Sequence, residues 1–409
     1  MKLKKPIKNL SFIFFLGISS GLPLALVLST LKALLLDKGF DLKTIGFFSL
    51  VSIPYSLKIF FAPFIDSYGV PVLTKIFGQR KSWIILSQIF LVIFISLLGI
   101  SGIANNLTAI ATFSFLLAFA SASQDIVIDG YRIELIKKEN QGLAASFYVY
   151  GYRIGMLISG ALALVLAEIF GWNCVYFIMA AIMIAAIFVT FFADETRKNW
   201  QQKKYNLKEW FEVAVISPFA DFIKHKKWYI ILAFIVCFKL GDSFAGNLTL
   251  PFLIDIGFSK IEIAKIVKTF GLFATLFGVF IGGILAKKFG IMKSLWIAGS
   301  VQMLSNLAFS YLAKIGYNND ILYFVVFVEN FSGGIGDSVF VAYLSSLCNI
   351  SFSATQYALL ISFASIARSF LSASAGVFAA VLGWYEFFIF STFLAIPGLL
   401  FLAWINRSK

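Results

Sequence analysis

The sequence is poor in the residues from which soluble catalytic chemistry is usually built. Of 409 residues one is histidine, His225, and three are cysteines, Cys174, Cys237 and Cys348, each isolated in an apolar run. A serine-hydrolase triad or a zinc site needs more imidazole or thiolate than this. Without a CxxC pair no redox or metal centre is expected, and the cysteines are expected as small buried apolar residues. Charge is also scarce: 13% of residues are Asp, Glu, Lys or Arg, against about 25% in an ordinary soluble chain. A soluble fold of this size needs more polar surface, and a disordered chain would not be 60% apolar.

What the chain has instead is long apolar runs rich in phenylalanine, 48 of them. A membrane-spanning helix takes about 20 mainly apolar residues. Twelve runs qualify, near 10–36, 44–65, 83–103, 107–128, 142–167, 175–192, 229–253, 264–286, 295–312, 321–347, 357–382 and 387–405. They are longer than barrel strands and do not alternate, so an all-α membrane protein is expected. The basic start resembles a signal peptide, but the run behind it is too long for an h-region and shows no A-x-A site. It is expected as an uncleaved first span. Of 34 lysines and arginines, 23 fall in the termini and the alternate loops on the termini's side, and five in the opposite loops. That asymmetry places both termini in the cytoplasm. The net charge of +14 belongs to loops, and no basic stripe interleaves with aromatics as nucleic-acid binding would require.

The longest polar stretch divides the chain into an N-terminal six-helix bundle (1–193), a cytoplasmic basic linker (194–228) and a C-terminal six-helix bundle (229–409). After span eight stands Gly283-Ile-Leu-Ala-Lys-Lys-Phe-Gly290; after span two stand Asp66 and then Gly78-Gln-Arg-Lys81. Two pseudo-symmetric six-helix bundles with related loops are the plan of a major facilitator transporter.

Seven collinear stretches go further: Gly17-Ile-Ser-Ser-Gly-Leu-Pro-Leu, Gly46-Phe-Phe-Ser-Leu-Val, Pro54-Tyr-Ser-Leu-Lys-Ile-Phe-Phe-Ala-Pro, Ala122-Ser-Gln-Asp-Ile-Val-Ile-Asp129, Phe238-Lys-Leu-Gly-Asp242, Glu329-Asn-Phe-Ser-Gly-Gly-Ile-Gly336 and Ala354-Thr-Gln-Tyr-Ala-Leu-Leu360. In these the chain resembles the AmpG-type muropeptide permeases of the major facilitator superfamily, whose relatives include acetyl-coenzyme A transporters. The resemblance implies proton-driven import of N-acetylglucosaminyl-anhydro-N-acetylmuramic acid, with or without its peptide, across a bacterial inner membrane. It implies no cofactor beyond the proton as coupling ion and no catalytic or metal residue. The partners it implies are the glycan or glycopeptide and the lipid bilayer, with the chain acting as a monomer. An exchanger of another anionic metabolite, such as a coenzyme A thioester, and a membrane enzyme acting on a lipid-linked sugar are the competing functions.

Ionisable side chains at membrane depth are costly and face a cavity or a partner. Five acids lie there, Asp125, Asp129, Asp242, Glu329 and Asp337, with six bases, Lys32, Lys58, Arg153, Lys239, Lys268 and Arg368. The proton-coupling candidates are Asp125, Asp129, Asp242 and Glu329, with preference for one lacking a fixed arginine partner. Ser114, Ala118, Ser121, Asp125 and Asp129 are spaced to share one face of span four, continued by Arg132. That face is either a proton or substrate path or a packing seam whose acids fasten a gate through Arg132 or Arg153. Substrate-binding candidates are Gln124, Arg153, Lys239, Lys268, Asn330 and Arg368. Lys239 either pairs with Asp242 three residues on or meets an anionic substrate group. Arg153 suits a carboxylate, or holds Asp125 or Asp129. Ala358, Ser362, Ser365, Ser369, Ser372 and Gly376 form a small-residue seam expected to pack helices. The gating candidates are Asp66, Gly78, Arg80, Lys81, Arg132 and Asp337. Asp66 is expected to meet an arginine or the positive end of a helix, and Asp337 to partner Arg368 or Lys268.

Overall fold

The computed structural model describes residues 5–103, 106–197, 200 and 206–407. Lys2, Lys4, Lys198, Lys203, Lys204 and Lys409 of the basic termini and linker lie outside them. No strand occurs among the described residues.

Among the described residues ten stretches are long and apolar enough to cross a membrane. They yield the twelve expected spans for two reasons. Lys138–Phe192 is broken at Gly171, whose φ of 77° and ψ of 161° turn the chain between two helices. Ile291–Ile315 is a full span in length but carries a buried polar stripe, Ser294, Gln302, Ser305, Asn306 and Ser310. At 1.5 Å per residue its 25 residues cover the hydrocarbon layer. The spans are α1 (Ile7–Asp37), α2 (Lys43–Ser67), α3 (Gln79–Gly102), α4 (Leu107–Leu135), α5 (138–170), α6 (172–192), α7 (Trp228–Asp255), α8 (Ile261–Phe289), α9 (Ile291–Ile315), α10 (Asn319–Leu347), α11 (Ile350–Leu382) and α12 (Trp384–Asn406).

The chain forms two compact units. One comprises Met1–Lys137, Phe147–Asp221 and Cys348–Leu359; the other Lys138–Ser146, Phe222–Leu347 and Leu360–Lys409. The first turns of α5 and α11 therefore belong to a different unit from the rest of each helix. In the linker, Asn206 and Glu209 form a reciprocal capping box that starts a helix.

Each unit has its own core. In the first, Leu22, Leu31, Leu34, Ile95, Leu117 and Met183 pack as fully buried aliphatics. In the second the core is aromatic: Phe388 meets Phe252 edge-on at 4.9 Å and stacks on Phe309 at 5.1 Å. Other phenylalanines turn outward, Phe60, Phe192 and Phe370 among them, as a lipid-facing surface allows.

Lipid supplies no hydrophobic drive between helices, so close approach depends on small residues. On α1 and α5 the glycines are reciprocal: a Cβ on Gly21 would lie 2.0 Å from the Tyr152 carbonyl oxygen, and one on Gly155 would lie 2.3 Å from that of Ile18. The same helices carry π-turns at Leu26–Thr30 and Ile158–Leu162, joined where the Thr30 hydroxyl donates to the Ser159 carbonyl at 2.5 Å.

The internal repeat extends beyond the loop the sequence pointed to. Trp172 at the start of α6 donates its indole N–H to Asp37 at the end of α1 (2.9 Å), and Trp384 at the start of α12 donates to Asp255 at the end of α7 (2.6 Å). Each tryptophan follows a positive-φ glycine, Gly171 or Gly383, and each aspartate precedes one, Gly39 or Gly257. Gly78 (φ 85°) and Gly290 (φ 79°) open α3 and α9, and each carbonyl accepts from the serine four residues on, Ser82 or Ser294.

Gly21→Ala forces a methyl group onto backbone and should cost about 1–3 kcal/mol of stability. Gly376→Ala, where a Cβ meets nothing within 4 Å, should be near neutral. Thermal unfolding of the detergent-solubilised protein compares the two.

Candidate functional site

Loop 2–3 builds a buried ionic network. Arg80, with none of its side chain exposed, places Nη2 at 2.7 Å from Asp66 and 2.7 Å from Glu134, and its Nε donates to Glu134 at 3.2 Å. Arg197 reaches the same carboxylates, Glu134 at 2.8 Å and Asp66 at 3.1 Å. The other oxygen of Asp66 accepts from the backbone N–H (3.2 Å) and hydroxyl (3.0 Å) of Thr355, in the first turn of α11. Asp66 thus meets both an arginine and the positive end of a helix. Ser353 links the two sides, accepting from Arg80 at 3.0 Å and donating to Glu134 at 2.7 Å. Gly130 leaves room for this, since a Cβ there would lie 3.1 Å from the Arg80 guanidinium carbon and 2.9 Å from the Ala354 Cβ.

Gly78 and Lys81 stand beside the network at Glu195, and Arg132 makes contacts of its own. The Glu195 carboxylate accepts from the Lys81 backbone N–H at 2.9 Å, covering the start of α3, and a Cβ on Gly78 would strike that glutamate side chain at 2.3 Å. The Lys81 ammonium donates to the Phe191 carbonyl at 2.8 Å. Arg132 is fully buried, 3.4 Å from Asp129 and within cation–π range of Tyr148 (5.2 Å) and Tyr357 (5.3 Å).

The polar face expected on α4 exists and is buried throughout, from Ser114 to Asp129. Asp125 pairs with Lys58 at 2.5 Å, a partner that sequence spacing does not supply, in place of an arginine. Lys58 follows a break in α2 at Leu57, and its ammonium lies 5.5 Å from the Tyr55 ring centre. The second Asp125 oxygen and the Ser114 and Ser121 hydroxyls are buried without a hydrogen-bond partner among the described residues. Gln124 turns the other way: its amide donates to the Ser19 carbonyl at 2.8 Å, tying α4 to α1. Arg153 is half-buried on α5 between Gly151 and Gly155. Lys32 is exposed.

In the second unit the expected pairings are redistributed. Lys239 forms an ion pair with Asp337, which also interacts electrostatically with Arg368; among the described residues no ion pair joins Lys239 to Asp242. α7 is interrupted at Lys239 (φ −112°, ψ 14°), which caps the helical segment that carries Asp242. Asp242 instead accepts from the Gln302 amide at 2.7 Å. Glu329 accepts from Asn330 at 2.9 Å. Asn330 is itself occupied, donating to the Val326 carbonyl (3.0 Å) and accepting from Thr275 (3.1 Å), so it ties α8 to α10. Lys268 is exposed in the π-turn Ala264–Phe270. The Arg368 guanidinium lies 6.0 Å from the Phe340 ring centre, with one terminal nitrogen buried and lacking a hydrogen-bond partner among the described residues. The α11 seam is only partly packed, with Ala358, Ser362 and Ser372 buried and Ser365, Ser369 and Gly376 exposed.

The pattern of the major facilitator superfamily matches residues 13–370. The anhydromuropeptide permease of Escherichia coli K12 is 40% identical over 394 residues, 96% of this chain and 78% of that protein. This chain belongs to the AmpG-type branch of the major facilitator superfamily. A putative transporter AmpG 4 of Rickettsia felis is 39% identical, covering 97% of this chain and 96% of its own. Among solved structures, the fucose:proton symporter of E. coli superposes with a TM-score of 0.70 at 12% identity, covering 98% of both chains. A bacterial ferroportin homologue in an outward-facing state gives 0.70 at 16% identity, over 99% of this chain and 100% of that one. These two likenesses concern the fold.

The chain is therefore a multi-pass membrane transporter and not an enzyme. Sequence reasoning missed five residues of the transporter's loop network: Glu134, Glu195, Arg197, Ser353 and Thr355. Glu134 ends the α4 apolar run and Glu195-Thr-Arg197 follows α6, charged positions at span ends that signalled a need for partners without naming them.

Arg80→Met strands two buried carboxylates with one arginine between them. It should cost about 3–5 kcal/mol, the usual penalty for breaking a buried pair from one side. Lys75→Met, at an exposed lysine of the same loop, should be near neutral. Unfolding midpoints of the two variants check this.

Proposed function

We propose that the chain imports anhydro-muropeptides, N-acetylglucosaminyl-anhydro-N-acetylmuramic acid with or without its stem peptide, across the bacterial inner membrane. It does so as a monomeric proton symporter working by alternating access, with both termini in the cytoplasm. The observation that carries this is the identity with the E. coli anhydromuropeptide permease, which extends over 96% of the chain and so includes both units.

The chemistry supports it. An anhydro-muropeptide offers a lactyl or peptide carboxylate and many hydroxyl and amide groups. Arg368, with its unpartnered buried nitrogen, and Arg153 are suited to the carboxylate, since a guanidinium keeps its charge when desolvated. The unpartnered Ser114 and Ser121 hydroxyls on α4 suit sugar and amide groups. For the proton we favour Glu329 and Asp242: neither forms an ion pair among the described residues, each being held by an amide. Asp129 is held by Arg132 and Asp125 by Lys58, and these pairs are suited to changing partners as the substrate anion arrives. The loop network around Arg80 is the conformational latch, holding the start of α11 through Asp66 and Ser353.

Each net positive charge moving inward through 100 mV releases about 2.3 kcal/mol, enough for roughly fortyfold accumulation; the substrate carboxylate cancels the charge of one proton, so a potential-driven gradient takes more protons than the substrate carries carboxylates. Vesicles containing the chain should concentrate labelled anhydro-disaccharide and lose that gradient when a protonophore is added. Glu329→Gln or Asp242→Asn should abolish uphill accumulation while retaining counterflow. Counterflow with no pH dependence, and accumulation unchanged by a protonophore, would instead mark an exchanger.

A further inference from the structure

Loop 8–9 repeats loop 2–3 in backbone but not in charge. Gly290-Ile-Met-Lys-Ser294 follows Gly78-Gln-Arg-Lys-Ser82 residue for residue, with the same positive-φ glycine and the same serine-to-glycine hydrogen bond. Met292 stands where Arg80 would, and no acid lies between Lys287 and Lys293. In the first unit the loop cation is neutralised by carboxylates from α2 and α4. In the second unit the loop opens instead on a cleft of about 940 Å³.

Five lysines line that cleft: Lys138 from loop 4–5, Lys226 and Lys227 before α7, Lys287 from the end of α8 and Lys293 from the start of α9. Glu139 is the acid they face. Lys138, Lys226, Lys287 and Lys293 form no ion pair among the described residues. Apolar side chains, among them Ile231, Ala286 and Leu347, also line the cleft. Gly290 adds no side-chain cap to α9, so the first backbone N–H groups of that 25-residue helix reinforce the positive field. Like charges brought together from four segments repel, and where the equivalent loop of the first unit balances its cations with acids, this cleft sets five lysines against one carboxylate, Glu139.

We propose that this cleft binds a ligand carrying two or more phosphate charges, either the headgroup of an anionic phospholipid or a soluble diphosphate. Phosphate fits because lysine ammoniums act as point charges toward several oxygens at once and helix N–H groups add directional donors. The rim favours a lipid source: the exposed Phe289 lines the cleft, and the exposed Trp404 ring lies 5.4 Å from the ammonium of the lining Lys227. This is the mixture of aromatic and basic side chains that occupies a membrane–water boundary. The lysines lie on the side that the basic-loop count assigns to the cytoplasm. The proposal does not depend on which solute the chain carries.

The test uses the full-length chain purified in detergent. Its affinities for fluorescent cardiolipin, against phosphatidylcholine, and for inorganic pyrophosphate are compared with those of the triple variant Lys138→Gln, Lys287→Gln, Lys293→Gln. Wild-type protein should bind one of the anionic probes, and the triple variant should bind it at least about tenfold more weakly. The corresponding triple arginine variant should stay near wild type. Lysine-dependent binding of cardiolipin alone assigns a lipid headgroup, and of pyrophosphate alone a soluble diphosphate. If the triple glutamine variant does not fold, Lys287→Gln alone should show a loss of about fivefold. Wild-type protein that binds neither probe, or a folded glutamine variant that binds both as tightly as wild type, would overturn the assignment.

Discussion

An ionised side chain inside a lipid-embedded helix bundle has no water to solvate it, so the protein must supply its counter-charge. That constraint explains both how few charges this chain carries and where they stand. In the first unit Asp66, Arg80, Glu134 and Arg197 close into a set of two acids and two bases, a balance at which no net charge is buried. Arginine rather than lysine holds the centre because its planar fork offers donors to two carboxylates at fixed angles. Lysine serves where a single acid is to be met, as in Lys58–Asp125 and Lys239–Asp337.

The same constraint shapes the backbone. Lys58 and Lys239 each stand at an interruption of a transmembrane helix, and Lys268 lies in a π-turn. Broken helices expose backbone polar groups, which is tolerable at membrane depth only where protein surrounds them. Placing a charge at such a break lets one irregularity serve both needs. Elsewhere the helices close tightly through glycine, as α1 does on α5, because dispersion contacts replace a hydrophobic drive that lipid does not offer.

The two halves share a scaffold and diverge in electrostatics. Paired glycine, tryptophan and aspartate positions turn the chain identically at the ends of α1 and α7 and at the starts of α6 and α12. On that common frame, loop 2–3 became a neutralised network and loop 8–9 the edge of a lysine-lined cleft. Backbone geometry at these turns depends on a few local residues, whereas charge balance depends on which acids neighbouring helices bring, so the second can change while the first is kept.

The amino-acid sequence by itself determined the number of spans, the family, the polar face of α4 and the role of Asp66 as a partner for arginine and a helix start. Each of these follows from local quantities: the length of an apolar run, the 3.6-residue period, a short motif. Asp129 meets Arg132 three residues on, as the helical period allows, but only the tertiary structure decided which distant groups pair. Thr355 lies 289 residues from Asp66, and Lys239 finds Asp337, 98 residues away, rather than Asp242 on its own helix. Pairing depends on how helices cross and where they break. Those are properties of packing among distant segments, and no spacing rule along one segment contains them.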